Sequence, residues 1–302
     1  MRKLSESFVK KLNGEWKPLL DFILSDSELD LQIRNNYINV YYQGGNILKI
    51  KPRSFEFDEF YFYINCNEER KTNLLKEAKK GNLEAKNIIA ELANKRDCLL
   101  ESLHSPQLDE SVVAEYFQKA KIIMHDWETT LNEQLGISHA EKQQQQQIAL
   151  ANRKNSDYVV LDLEYAVSRH SEFAYNGTLD KVVPRFDIIA IHNGQLVVIE
   201  LKKGMDAIGG TSGVIPHINC FRHTIGRDIK GLFIQEMKDL LKQKQDLSIL
   251  DKSLKIDNRK PKFVFAFADK DGKDNLDNFK KMCKPFDVLF LNKQHKISDL
   301  SK

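Results

Sequence analysis

One stretch of the chain, RFDIIAIHNGQLVVIELKKG (residues 185–204), constrains the fold more than any other. Its apolar runs are typical of two strands, and Asn193-Gly194 between them is the strongest short-range signal for a tight hairpin turn. The two strands nevertheless carry Asp187, Glu200 and Lys202. Because an unpaired charge in a buried strand is costly, these residues lie either on a solvated face or in a site.

The turn determines which residues of this hairpin face each other. Counting back from Asn193-Gly194 pairs Asp187 with Glu200, and strand alternation puts Glu200 and Lys202 on one face. Two carboxylates directly opposite each other are destabilising, which favours a cation between them. Lys202 offsets part of this repulsion, and a divalent cation would offset more of it.

Mg²⁺ and Mn²⁺ prefer oxygen ligands such as carboxylates, backbone carbonyls, water and substrate phosphate. The predicted ligands are the carboxylates of Asp187 and Glu200 and the main-chain carbonyl of Leu201. Such a metal lowers the pKa of a bound water, and an ammonium group such as that of Lys202 stabilises the developing anion. The pattern therefore predicts metal-dependent phosphodiester hydrolysis, with a surface ion pair on an edge hairpin as the alternative.

The same stretch resembles the core of the PD-(D/E)XK nuclease superfamily, which has the restriction-endonuclease-like α-β-β-β-α-β fold. Asp187 matches the family's metal-binding Asp, Glu200 its second acid and Lys202 its lysine, while Phe186 stands where many members have proline. The resemblance covers about residues 136–269. It implies a Mg²⁺-dependent nuclease (an endonuclease or related hydrolase) that acts on nucleic acid, and we favour DNA over RNA. A role in restriction or anti-phage defence is a further expectation.

Two further acids are candidate catalytic residues. Many members of the superfamily carry a Glu on the helix before the first core strand, and Glu141 holds that position here, although it could be an ordinary exposed helix residue. Asp162 and Glu164 share a face of the predicted strand SDYVVLDLEYAVS. Glu164 is the better placed of the two, near the strand end, and a half-exposed strand is the alternative.

The N-terminal part of the chain predicts two regions. Residues 1–66 are expected to form two short helices and a small antiparallel sheet, which includes a strand over SFEFDEFYFYI and a hairpin turn at Gly44-Gly45. Residues 67–135 are rich in helix formers, with a break at Gly81-Asn82. A later helix in this region has Asp109 or Ser111 as its cap.

Residues 136–302 are predicted to be the nuclease-like domain, an α/β mixed sheet flanked by helices. A helix over the glutamine tract is followed by three strands and by a long helix from about Ile218 to Leu247, with an interruption at Gly226 as an option. A strand, a helical bridge and a last strand complete it. A loop at Gly209–Gly213 precedes the long helix. Basic side chains near this loop could contact phosphates, but we assign none of them a chemical role: Lys203, His217, Arg222, His223 and Arg227.

The composition indicates where in the cell the protein is expected and which partners suit its charge. No run of about 18 apolar residues occurs, so we expect no membrane span, and the basic start MRKLSESFVKKLNGEW lacks a signal peptide's apolar core. Four scattered cysteines without a CxxC pair argue against a disulfide framework or zinc site and favour the cytoplasm. Residues 259–302 contain 11 Lys and Arg against 6 Asp, which suits a polyanionic partner or a solvated lysine-rich surface.

Two functions stay open at this point. The first is the nuclease, and the second is a catalytically silent nuclease-like module that binds nucleic acid or a protein. The presence of all three signature residues favours the enzyme. Because many enzymes that cut duplexes act as dimers, a homodimer formed through the helical region is one expected state.

Overall fold

A computed structural model describes residues 2–64, 66–105, 108–136, 140–167, 185–203, 213–228, 231–268, 273–291 and 295–299. The chain divides into two compact units. Lys3–Gln146 forms the N-terminal unit, and Gln147–Lys302 together with Met1–Arg2 forms the C-terminal unit. The division falls inside a helix that begins at residue 140, whereas the sequence suggested boundaries after residues 66 and 135.

The N-terminal unit begins with two helices and a four-stranded antiparallel sheet in the order β1-β2-β3-β4, as predicted. The turn between β2 and β3 is formed by Gln43 and Gly44, whose φ angles are 48° and 79°. The turn therefore lies one residue earlier than the predicted Gly44-Gly45. The elements are α1 (Glu6–Asn13), α2 (Lys17–Ser25), β1 (Asp30–Ile33), β2 (Ile38–Tyr42), β3 (Gly45–Lys51) and β4 (Ser54–Glu56).

The predicted long strand over residues 54–64 is wrong after its first three residues. Only Ser54–Glu56 is a strand, and Glu59–Phe62 forms a 3₁₀ turn. The Asp58 carboxylate accepts a hydrogen bond from the Phe60 backbone N–H at 3.1 Å. This local cap competes with ladder pairing and ends the strand.

Four helices follow, and the predicted break at Gly81-Asn82 and the predicted cap at Asp109 are confirmed. The Asn82 side chain caps α4 by accepting a hydrogen bond from the Ala85 N–H at 3.1 Å, directly after the break at Gly81. Asp109 caps α5 by accepting one from the Val112 N–H at 2.9 Å. The glutamine tract is helical, as expected. The elements are α3 (Glu68–Lys79), α4 (Leu83–Glu101), α5 (Glu110–Leu135) and α6 (Ala140–Ala151).

The C-terminal unit contains a six-stranded mixed sheet in the order β10-β9-β8-β7-β6-β5. β5, β6 and β7 are antiparallel neighbours, whereas β7, β8 and β9 run parallel and are joined through helices. The predicted mixture of hairpin and crossover connections is confirmed, and β10 was not predicted. The strands are β5 (Val159–Ala166), β6 (Arg185–His192), β7 (Gln195–Lys203), β8 (Lys262–Ala268), β9 (Asp287–Leu291) and β10 (Ile297–Asp299).

The predicted helix over residues 218–247 is not continuous, and its optional interruption at Gly226 lies within the break that the structure shows. The structure has two helices here, α7 (Val214–His223) and α8 (Leu232–Asp246). The Asp228 carboxylate accepts hydrogen bonds from the backbone N–H groups at the start of α8, at 3.0 and 2.6 Å. Such a cap starts a new helix. It lies inside the segment that the periodicity of apolar residues predicted to be one helix. The last helix is α9 (Lys273–Cys283).

The middle of the sheet is apolar on both faces. Ile188, Ile189, Val198 and Ile199 have no measurable exposure, and Val197 has almost none. This burial explains the near-continuous apolar runs of these strands. The charged side chains at the ends of β6 and β7 are therefore unexpected in this apolar sheet and need an explanation. Among the helices that the structure describes, none has the length and apolar character needed to cross a bilayer.

Candidate functional site

The β6–β7 hairpin has the register that its turn predicts. His192 pairs with Gln195, and the ladder continues without a shift to Ile188 and Ile199. The next position along the two strands brings Asp187 and Glu200 to the same level, where ladder pairing ends. The two acids of the motif therefore lie at the end of an otherwise apolar hairpin.

Asp187 makes a side-chain contact with the main chain of the facing strand. Its Oδ2 accepts a hydrogen bond from the backbone N–H of Leu201 at 2.8 Å, and the side chain is half-buried. The contact holds the carboxylate at the strand end. It also brings the Leu201 main chain to the site through its N–H, whereas a role for the Leu201 carbonyl as a metal ligand stays a prediction.

Glu200 and Lys202 form a buried ion pair on β7. Lys202 Nζ lies 3.1 Å from Glu200 Oε1, and the side chains are 6% and 3% exposed. His217 of α7 adds a second contact to the same oxygen, with its Nδ1 at 2.9 Å. The cluster is therefore one carboxylate oxygen held by two nitrogen groups from two different elements.

The other oxygen of Glu200 is not satisfied in this way. Oε2 is buried and has no hydrogen-bond partner among the residues that the structure describes. A buried carboxylate oxygen without a hydrogen bond costs more free energy than a neutral polar atom in the same position, because the charged group loses its hydration. Such an atom is where a cation would bind with least reorganisation.

Glu164 occupies the third position of a row of acids. Leu163 pairs with Ile188, and Tyr165 pairs with Phe186, so Glu164 stands opposite Asp187 on the neighbouring strand. Its φ of 49° is left-handed, which is uncommon for a Glu. The facing that alternation assigned to Glu164 therefore stays a prediction.

The register alone does not make these acids a metal cluster. Within the described ranges, no group of three His, Cys, Asp or Glu side chains could hold a metal ion. Asp162, which shares the predicted strand face with Glu164, is fully buried and ion-paired with the Arg2 guanidinium. It belongs to a structural ion pair and not to the Glu200 cluster.

The remaining sequence candidates have different outcomes. Glu141 is exposed and lies in the N-terminal unit, and its role as a catalytic acid stays a prediction. Arg222 is exposed, and its guanidinium lies 5.4 Å from the centre of the Phe286 ring. The loop at 209–212 and the side chains of Lys203 and Arg227 lie outside the described residues.

Sequence reasoning named His217 but gave it no role at the site. Nine residues outside the described ranges separate β7 from the segment that leads into α7. No periodicity or spacing rule connects a helix residue to a strand residue 17 positions earlier. Only the packing of α7 on the sheet brings the imidazole to Glu200.

Two buried thiols have pKa values perturbed by the same cluster. Burial, together with the smaller effect of the Glu200 charge, raises the pKa of Cys220 to about 12, against a lowering effect of Thr224. Burial also raises the pKa of Cys283 to about 12, against a lowering effect of Lys202. Both thiols are therefore protonated near neutral pH, which excludes them as thiolate nucleophiles.

Comparison with known proteins adds no relative. No protein-family model, no curated protein and no solved structure matches this chain. The function must therefore be inferred from the residues of the site themselves.

Proposed function

We propose that the C-terminal unit is a metal-dependent nuclease that hydrolyses phosphodiester bonds in nucleic acid, with DNA favoured over RNA. The observation that supports this proposal is the buried Glu200–Lys202 pair, which lies level with Asp187 and has one carboxylate oxygen without a partner in the described part of the chain. Replacing a buried ion pair by apolar residues is often neutral or stabilising. Stability therefore does not account for a charged pair in this apolar sheet, whereas a site does.

The residues present fit a hard divalent cation. Mg²⁺ in enzymes is commonly bound by one or two carboxylates together with water and substrate phosphate, so a full cluster of protein ligands is not required. Asp187 and Glu200 would hold Mg²⁺ or Mn²⁺, with the Leu201 carbonyl as a third oxygen. When bound, the metal supplies Lewis acidity and a more acidic water.

The chain's own groups have separate tasks in this proposal. Lys202 places a positive charge beside the carboxylates, where it stabilises the negative charge that develops on the phosphate oxygens. The Leu201 N–H fixes the orientation of Asp187. Hydrolysis adds water across a P–O bond, and one product takes the oxygen of the water while the leaving group takes a proton. Glu164 is an additional acid of the proposed site, because it is level with Asp187.

The proposed fold is the restriction-endonuclease-like one. The described order α6, β5, β6, β7, α7, α8, β8 agrees with an α-β-β-β-α-β core that carries one additional helix. A role in restriction or anti-phage defence and a homodimeric state are parts of the same proposal. Plaque formation by phage on cells that express the Lys202→Met variant tests the first, and light scattering on the purified chain tests the second.

The deciding experiment is a cleavage assay on supercoiled plasmid, linear duplex, single-stranded DNA and RNA, with Mg²⁺, Mn²⁺ or EDTA. We expect cutting that requires metal and that Glu200→Gln and Lys202→Met abolish. Lys262→Met is the matched control, because Lys262 forms an exposed ion pair with Asp287 on the same sheet at 2.6 Å. This control should cut like the wild type.

Two results would favour the silent binding module instead. One is the absence of metal-dependent cutting on all four substrates, together with nucleic-acid affinity that Asp187→Ala leaves unchanged. The other is cutting that survives in Lys202→Met and Glu200→Gln, which would locate the activity elsewhere or in a contaminant.

A further inference from the structure

Glu200 has a partner that the nuclease motif does not include. His217 Nδ1 lies 2.9 Å from Glu200 Oε1, the oxygen that Lys202 Nζ contacts at 3.1 Å. The His217 side chain is 20% exposed, against 3% for Glu200. The imidazole is therefore the member of this trio with the most access to solvent.

The direction of this hydrogen bond follows from the chemistry of its atoms. An ionised carboxylate can only accept hydrogen bonds, so Nδ1 carries the hydrogen and donates it. Both donors of the trio converge on Oε1, while Oε2 has no partner among the described residues. One oxygen of Glu200 is thus held, and the other, which is buried, is the one left without a partner among the described residues.

The helix that carries His217 is firmly packed. Phe221, one turn later, stacks on Phe263 of β8 with ring centres 4.8 Å apart and meets Phe186 of β6 edge-on at 6.4 Å. Ile218 is also buried. Since α7 packs on both strands, the backbone of His217 is held beside Glu200.

We propose that His217 is a positioning residue for Glu200, which holds Oε1 so that Oε2 binds the cation of the proposed nuclease site. Groups that hydrogen-bond a ligating carboxylate orient it, and their loss lowers metal affinity or activity. This inference depends on the proposed function, and it adds a residue to the site from a helix outside the hairpin.

A series of three substitutions at position 217 separates the two ring nitrogens. His217→Asn keeps an amide N–H close to the place of Nδ1, His217→Gln puts its amide close to the place of Nε2, and His217→Ala removes both. Calorimetric titration of the substrate-free full chain with Mn²⁺ gives a readout that does not depend on cleavage. We expect Asn to bind like the wild type and Ala and Gln to bind ~10–100-fold more weakly.

Asn219→Ala is the matched control, because Asn219 is exposed on the same helix, and it should leave Mn²⁺ affinity unchanged. Thermal unfolding of each variant separates lost positioning from lost folding. Wild-type Mn²⁺ affinity in Ala and Gln would overturn the inference while leaving the nuclease proposal intact. Rescue by Gln and not by Asn would also overturn it, because it would assign the role to Nε2.

A measurement without metal keeps the two proposals distinguishable. In ¹⁵N-histidine NMR spectra of the full chain, the His217 signal, assigned by its loss in His217→Asn, should show a protonated Nδ1. A neutral ring protonated at Nε2 would overturn the inference whatever the metal does. A protonated Nδ1 in a protein that binds no Mn²⁺ would overturn both the positioning role and the metal-dependent function.

Discussion

Asp187 accepts a hydrogen bond from the backbone N–H of Leu201 at 2.8 Å, at the point where the β6–β7 ladder stops. The Asp187 carboxylate therefore takes the place of a main-chain carbonyl as the acceptor for the Leu201 N–H. It contributes to the hairpin as an oxygen acceptor and to the proposed site as a negative charge. Substitutions can separate these two contributions.

Asp187→Asn keeps an oxygen that accepts the Leu201 N–H but removes the charge. We expect its free energy of unfolding to stay close to that of the wild type, while Mn²⁺ binding and cleavage are lost. Asp187→Ala should lose the same activities and in addition about 1 kcal/mol of stability, because it leaves a backbone N–H unpaired. Urea unfolding and Mn²⁺ titration measure the two effects, and an active Asp187→Asn would contradict the proposed role of the charge.

Lys202→Met removes the ammonium group that compensates Glu200. We expect a loss of about 3 kcal/mol in the free energy of unfolding, because the carboxylate stays buried without its cation. The double variant Glu200→Gln/Lys202→Met should recover most of this loss, although it remains inactive. Lys262→Met, which breaks an exposed pair, should cost at most about 1 kcal/mol. Urea unfolding of the wild type, Glu200→Gln, Lys202→Met and the double variant forms the test. If the losses of the two single variants add up in the double variant, the two residues are not coupled.

Arg2 makes another largely buried ion pair in the described part of the C-terminal unit. Its guanidinium pairs with Asp162, which is fully buried, and donates a hydrogen bond to the Glu164 carbonyl at 2.7 Å. Arg2→Ala should lower the free energy of unfolding by about 3 kcal/mol. Asp162→Asn combined with it should restore part of that loss, because the uncompensated charge is gone.

The control for this prediction is Lys3→Ala. Lys3 is exposed next to Arg2 in the chain, and its loss should change stability by less than about 0.5 kcal/mol. Equal effects of Arg2→Ala and Lys3→Ala in urea unfolding would show that the buried pair does not support β5.

Local rules predicted the parts of the fold that depend on near neighbours in sequence. The Asn193-Gly194 turn predicted the hairpin register that brings Asp187 and Glu200 to the same level. Side-chain caps at Asn82 and Asp109 marked helix starts correctly. In each case the determining atoms lie within a few residues of one another, so the sequence contains the whole interaction.

The features that sequence reasoning missed depend on distant packing. The contact of His217 with Glu200 and the ion pair of Arg2 with Asp162 join residues far apart in the chain. The left-handed φ of Glu164 is unusual within a strand, and its carbonyl accepts a hydrogen bond from Arg2. No propensity or periodicity rule contains these partners, because tertiary contacts create them.

The buried thiols make the free energy of unfolding decrease at alkaline pH. Burial raises the pKa of Cys283 from 9.0 to about 12 and that of Cys66 from 9.0 to about 11. The folded state therefore holds these protons more tightly than the unfolded state does. The stabilisation is complete below about pH 9 and is lost as the pH rises toward the folded values. Between about pH 9 and about pH 10, we expect a loss on the order of 1 kcal/mol per thiol.

Urea unfolding at a series of pH values between about 9 and about 10 measures how steeply the free energy of unfolding falls with pH. Cys283→Ala should flatten it, because that variant has one thiol fewer to ionise on unfolding, whereas Cys98→Ala should not, because Cys98 is exposed. Thiol labelling of the folded chain at about pH 8 gives an independent check. Only Cys98 should react before unfolding, and rapid labelling of Cys283 would show that its burial does not protect it.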